Sequence, residues 1–123
     1  MSKRILVVDD EPNIVMSLEF LMRRAGFEVE VARNGREALQ ALDGPPPDLL
    51  LLDVMMPEFD GYEVCEQVRA RPEWNRTRII MLTARGRDVE RERGLALGAD
   101  AYVTKPFSTR DLVEQVKQML GMA

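Results

Sequence analysis

Three short runs of this chain are apolar at every position: residues 5–8, 49–52 and 79–82. A strand with one wet face alternates apolar and polar side chains. Four consecutive aliphatic residues, each run stopped by polar ones, therefore predict strands buried on both faces. The stretches between them carry helical patterns. After the first run Pro12 suits an opening helical turn, Ile14, Leu18, Leu21, Met22 and Ala25 recur at helical spacing, and Gly26 is placed to end the helix.

The remaining segments continue the alternation. Phe27, Val29 and Val31 interleave with Glu28 and Glu30, which predicts a half-exposed edge strand. A short helix with Ala38, Leu39 and Leu42 on one face follows, ending at Gly44, and Pro45, Pro46 and Pro47 form a connector. Asp60 with Glu63 reads as an N-capping pattern for a helix running to about Arg69. The third apolar run leads through Thr83 and Ala84 into a charged helix ending near Gly98. Residues 101–104 predict a last short strand, interrupted by Lys105 and Pro106. Ser108 with Asp111 caps a final helix carrying Leu112, Val113, Val116 and Leu120. Five strands thus alternate with five helices in one expected domain over residues 1–123. That order predicts an α/β fold, a parallel sheet with helices on both faces.

Composition narrows the chemistry. The chain has no histidine, which excludes a Ser-His-Asp triad, a phosphohistidine and imidazole metal sites. Its single cysteine, Cys65, permits no internal disulfide and no thiolate zinc cluster. Carboxylates, hydroxyls and lysine remain, and such hard oxygen donors suit Mg²⁺, Ca²⁺ or Mn²⁺. No apolar run approaches the ~20 residues that span a bilayer. The first residues lead straight into a strand rather than a signal peptide, so a cytoplasmic protein without a membrane partner is expected. A net charge of −4 without a basic cluster argues against direct nucleic-acid binding.

In parallel α/β sheets ligands bind beyond the carboxyl ends of the strands. Four predicted strands end there in polar residues: Asp9 and Asp10, Asp53, Thr83, and Lys105. Gathered on one edge, three carboxylates repel unless a cation or proton offsets them. A hard divalent cation, the Lys105 ammonium and the Thr83 hydroxyl are the groups a phosphoryl transfer needs, with one carboxylate as nucleophile. Spacing alone does not choose that carboxylate. Asp53 stands alone at the end of what would be the central strand, the better position for it.

Taken singly, each residue has an ordinary reading: an acidic turn, a strand terminator, a helix-entry hydroxyl, a solvated lysine. The constellation is what is specific. Cys65, Trp74 and the eight methionines suggest no function, and the charged stretch 85–93 reads as a solvated helix with its entry loop. A Mg²⁺-dependent phosphatase wants Asp-x-Asp on its first strand, where this chain has Asp9-Asp10-Glu11. A flavin-binding module wants a Ser/Thr/Gly-rich loop where this chain has Asp10-Glu11-Pro12-Asn13.

Residues 5–11, 52–57 with Asp60 and Gly61, 82–84 and 98–107 resemble the receiver domains of two-component response regulators, typified by the chemotaxis protein CheY. The resemblance covers about residues 4–120. It implies a flavodoxin-like (βα)5 sheet with strand order 2-1-3-4-5. Asp53 matches the phosphoacceptor. Asp9 and Asp10 match the acidic pair for Mg²⁺ (Mn²⁺ an expected substitute), Asp10 directly and Asp9 through water, with the backbone carbonyl of Met55 as a further ligand. Thr83 and Lys105 match the residues holding the phosphoryl oxygens, Tyr102 matches the aromatic switch, and Lys105–Pro106 matches a cis peptide. The implied function is a phosphorylation switch rather than a metabolic enzyme, catalysing only its own phosphorylation and dephosphorylation. Its implied partners are a sensor histidine kinase or histidine phosphotransfer protein and a downstream protein met through the fourth helix, fifth strand and fifth helix. DNA-binding relatives that dimerise through that face carry Asp and Arg where this chain has Ala101 and Gln115. A monomer and a phosphorylation-dependent dimer are both left open, as are a stand-alone and an excised domain. Met55 and Arg85 occupy positions that influence how long the phosphate lasts.

Overall fold

Successive side chains of a strand point to opposite faces, so each fully apolar run must meet a helical layer above and below. That is the arrangement in the computed structural model, which describes residues 3–56, 60–84 and 88–121. In chain order the elements are β1 (Arg4–Val8), α1 (Pro12–Arg24), β2 (Glu28–Ala32), α2 (Gly35–Leu42), β3 (Leu49–Asp53), α3 (Gly61–Ala70), β4 (Arg78–Ala84), α4 (Asp88–Ala96), β5 (Ala101–Lys105) and α5 (Thr109–Met119). A single 3₁₀ turn, Pro72–Trp74, joins α3 to β4. The five strands are parallel and ordered β2-β1-β3-β4-β5. The fold is the expected CheY-like one, with the alternating segment β2 on an edge.

Two apolar layers follow from the strand alternation. Ile5, Val7, Leu49, Leu51, Ile80 and Leu82 pack with Leu18 and Met22 of α1 and Leu112 and Val116 of α5. Leu6, Val8, Leu50, Leu52, Ile79 and Met81 pack with Ala38 and Leu42 of α2 and with Val64, Cys65 and Val68 of α3. Trp74 is buried in this second layer, under the Arg71 guanidinium at 4.6 Å from its ring centroid.

Helix starts obey local chemistry. The Asp60 side chain accepts from the Glu63 N–H and the Glu63 side chain from the Asp60 N–H, a reciprocal capping box. Ser108 Oγ accepts from the Asp111 N–H at 3.2 Å. Asn34 caps α2 by accepting from the Glu37 N–H at 2.8 Å.

The ends of several elements differ from expectation by a residue or two. β3 and β5 run on through Asp53 and Lys105, because ladder pairing continues to Asp53↔Leu82 and Ala84↔Lys105. α2 stops at Leu42 rather than Gly44, since the Asp43 N–H turns back to the Gln40 carbonyl at 3.2 Å. α4 stops at Ala96, and Gly98 takes the left-handed conformation (φ +109°) that ends it. Among the described residues no helix is long and apolar enough to cross a membrane.

Candidate functional site

β1 and β3 are neighbours in the sheet, so their carboxyl ends deliver Asp9 and Asp53 side by side. The Asp9 N–H continues the β1–β2 pairing to the Ala32 carbonyl at 3.2 Å. Its side chain is fully buried, with Oδ1 accepting from the Glu11 N–H at 2.9 Å. Asp10, one residue on, is exposed. Adjacent aspartates thus split into a fixed inner carboxylate and a free outer one. Asp53 is 5% exposed, and its carboxylate accepts a hydrogen bond from the Met55 backbone N–H.

β5 brings the counter-charge. Lys105 Nζ donates to Asp53 Oδ1 at 3.0 Å and to Asp9 Oδ2 at 3.2 Å. Between these strands lies β4, whose Thr83 is buried and pairs with Thr104. The Lys105–Pro106 peptide is cis. Carboxylate oxygens of Asp9, Asp10 and Asp53 all lie within 4.8 Å of one another, close enough to share one ion. Every donor is a hard oxygen, which fits a divalent cation of the Mg²⁺ kind and fits no soft metal.

The electrostatics are unbalanced in an informative way. Burial, joined by the charge of Asp9, pushes the Asp53 carboxyl up to about 6, although its bond to Lys105 pulls the other way. Burial alone depresses an ammonium, yet Lys105 is held above its ordinary range by the Asp53 carboxylate and then by Asp9. One cation therefore stands among three carboxylates, and the site has an appetite for further positive charge.

The structure brings Asp9, Asp10, Asp53 and Lys105 together as their strand-end positions imply. Met55 follows in the next loop with its side chain exposed. Tyr102 lies further back, as the second residue of β5 opposite Met81, half-buried with the Arg91 guanidinium 5.9 Å from its ring centroid. Pro57 and Arg85 lie outside the described residues. Gly61 is the residue whose part the sequence reading missed. A side-chain carbon there would come within 2.9 Å of Val54 Cα and closer still to the Asp53 carbonyl oxygen. Its N–H donates to the Val54 carbonyl at 3.0 Å, folding the loop after Asp53 back onto β3.

A family model described as the response regulator receiver domain matches residues 5–117. The chain belongs to that family. The receiver domain is 50% identical over 123 residues to the phosphate regulon transcriptional regulatory protein PhoB of Rhizobium meliloti (strain 1021), covering 100% of this chain and 54% of the relative. It is 47% identical over 120 residues to the alkaline phosphatase synthesis transcriptional regulatory protein PhoP of Bacillus subtilis (strain 168), covering 98% of this chain and 49% of the relative. The receiver domain thus spans about half the length of the curated relatives it matches. The solved structure of chemotaxis protein CheY4 of Vibrio cholerae superposes with a TM-score of 0.91 at 32% identity, covering 97% of this chain and 99% of the other. Membership places the chain in two-component signal transduction.

Proposed function

We propose that Asp53 accepts a phosphoryl group from a sensor histidine kinase or a histidine phosphotransfer protein, and that the modified domain controls a downstream protein. The observation that carries this reading is the setting of the Asp53 carboxylate. It is buried at the end of the central strand, 3.0 Å from the Lys105 ammonium and within ion-sharing reach of Asp9 and Asp10. A carboxylate oxygen of Asp53 forms a bond to phosphorus as the phosphorus–nitrogen bond of the donor phosphohistidine breaks, and the departing imidazole takes up a proton. Lys105 and Thr83 hold the equatorial oxygens of the transferred group, where negative charge accumulates.

Asp9, Asp10, Asp53 and the Met55 carbonyl are the residues that would hold Mg²⁺ or Mn²⁺, Asp10 directly and Asp9 through water. When bound, the ion supplies charge neutralisation for the phosphoryl oxygens. Thr83 and Tyr102 then form the switch, with the Thr83 hydroxyl drawn toward the phosphoryl group and the Tyr102 ring following. The face made by α4, β5 and α5 changes shape as a result. Differential stabilisation of ~5.5 kcal/mol would make that shift nearly complete.

On this reading the 123 residues form one domain that works in the cytoplasm and turns over nothing but its own phosphate. The two relatives are named transcriptional regulatory proteins. The expectation of no nucleic-acid contact is therefore kept for these residues alone, and any output on DNA is assigned to sequence outside them.

Acetyl phosphate with Mg²⁺ tests the chemistry directly, since its phosphorus–oxygen bond breaks as acetate leaves. The intact mass of the protein should rise by one phosphoryl group, the gain should vanish with chelator, and Asp53→Asn should show none. Undiminished labelling of Asp53→Asn would sink the assignment.

A further inference from the structure

Two methionines follow β3 side by side and meet opposite surroundings. Met56 is 8% exposed and packs into the apolar layer beneath α2 and α3, whereas Met55 is 64% exposed. The other sulfur atoms are mostly out of reach. Met22 and Met81 are fully buried. Cys65 is fully buried too, with its thiol pushed up to about 11, so it offers an oxidant almost no thiolate at neutral pH. Among the described residues only Met16, on α1, is a methionine as open as Met55.

Position separates these two. The Met55 N–H donates to the Asp53 carboxylate. Such a bond spans about 3 Å, and an extended methionine side chain carries its sulfur about 5 Å from its own nitrogen. The thioether is thus tethered within roughly 8 Å of the Asp53 carboxylate, open to water beside the acidic cluster. Met16 lies in the second turn of α1, a helix that contributes none of the clustered residues.

We propose that Met55 is an oxidation site through which peroxides shorten the life of a phosphoryl group on Asp53. The proposal rests on the phosphoacceptor reading of Asp53. A lone pair of the Met55 sulfur attacks hydrogen peroxide: a sulfur–oxygen bond forms, the oxygen–oxygen bond breaks, and water leaves. The thioether is oxidised by two electrons to a sulfoxide, and the peroxide is reduced. Sulfoxide reductases reverse the change. The product is polar where the thioether was apolar, and its oxygen accepts hydrogen bonds.

That oxygen bears on hydrolysis of the acyl phosphate. There a water oxygen bonds to phosphorus as the bond from phosphorus to the Asp53 oxygen breaks, freeing the carboxylate and inorganic phosphate. A thioether gives this water no anchor. A sulfoxide on the same tether holds it near the phosphorus, and holding a reactant in place speeds its reaction. Met56 has no such part, because burial shields it from the oxidant.

The test begins with metal-free protein in dilute hydrogen peroxide, digested and mapped by mass spectrometry. Met55 and Met16 should gain oxygen about tenfold faster than Met22, Met56 and Met81, in keeping with their exposure. The peroxide is then removed, the protein is phosphorylated with acetyl phosphate and Mg²⁺, the donor is removed, and intact mass follows the phosphoryl group. Oxidation should shorten its half-life at least threefold, and the two epimer-specific methionine sulfoxide reductases together should restore it. Met16→Leu should keep this response and Met55→Leu should lose it, each judged against its own unoxidised half-life. Met55→Gln, which carries an oxygen acceptor without any oxidant, should have the short half-life from the start. Oxidation of Met56 as fast as Met55, an unmoved half-life, or a response that survives Met55→Leu would each overturn the proposal alone. Unoxidised protein that takes up no phosphoryl group would overturn the phosphoacceptor reading and the proposal together.

Discussion

Gly61 lies so close to the Asp53 main chain that no side chain fits between them: a carbon placed there would overlap the Asp53 carbonyl oxygen. The loop between the two must close on itself for α3 to begin, with the Gly61 N–H bonded to the Val54 carbonyl. Gly61→Ala should push that loop outward. The expected cost is ~1–3 kcal/mol, the range for forcing an extra carbon into a packed site. Because the displaced backbone carries Asp53 and Met55, Mg²⁺ affinity should fall as well. Thermal melts with and without Mg²⁺ read both effects. An unchanged midpoint would show that the loop yields freely.

The raised carboxyl of Asp53 has a defined consequence for stability. Its value is about 6 in the folded protein against an ordinary 3.8, so the folded state holds this proton more tightly. The group opposes folding once it ionises: the penalty is absent below pH ~4, grows between ~4 and ~6, and is complete above that. Asp53→Asn should therefore stabilise the metal-free protein at pH 7.5, by up to ~3 kcal/mol at about 1.4 per unit. The advantage should disappear at pH 4. Urea titrations of both proteins across this window decide it, and a gain that persists undiminished at pH 4 would mean the cause is packing rather than charge.

Lys105→Met keeps the aliphatic stem and removes the charge from between Asp9 and Asp53. With its cation gone, Asp53 should bind its proton at still higher pH. The variant should lose ~2–3 kcal/mol at pH 7, below the 3–5 typical of breaking a fully buried pair because the lysine is partly exposed. Much of that loss should return at pH 5, where protonation of Asp53 removes the repulsion. A loss of equal size at both pH values would point to packing instead.

Cys65 is fully buried against the Leu97 carbonyl, and burial pushes its thiol up to about 11. A disulfide reagent at pH 8 should leave it unmodified in the native state and react as fast as the protein unfolds. Its rate should track the unfolding rate from denaturant jumps, and rapid labelling without denaturant would reveal local opening of α3.

Much of this was legible in the sequence because it is set by short-range patterns. The runs at 5–8, 49–52 and 79–82 announce buried strands, and the caps at Asp60 and Ser108 act within four residues. Once the strands are parallel, their carboxyl ends collect Asp9, Asp53 and Lys105 with no further information. What escaped depends on distant partners. Nothing in the sequence distinguishes Asp9 from Asp10, and it is the β1–β2 pairing to Ala32 together with the bond from Lys105 that fixes Asp9 inside while Asp10 stays exposed. Asp100 was an anonymous loop acid, yet it accepts from the Ile79 N–H at 2.8 Å and pairs with Arg69 at 2.7 Å, tying β4 to α3. The crowding at Gly61 is of the same kind, a close approach between backbones that no spacing rule contains.

The position of Trp74 decides how this protein can be watched. It is the chain's one tryptophan, buried in the turn before β4, at the end of the sheet opposite the acidic cluster. Asp53 pairs with Leu82, four residues along β4 from Arg78, so at about 3.3 Å each the start of that strand, next to the turn that holds the indole, lies roughly 13 Å from the level of Asp53. The indole emission will report the loss of the fold strongly and the arrival of a metal ion or phosphoryl group hardly at all. An optical probe of signalling has to be installed, and the exposed side chain of Met55, beside Asp53, is the place to put it.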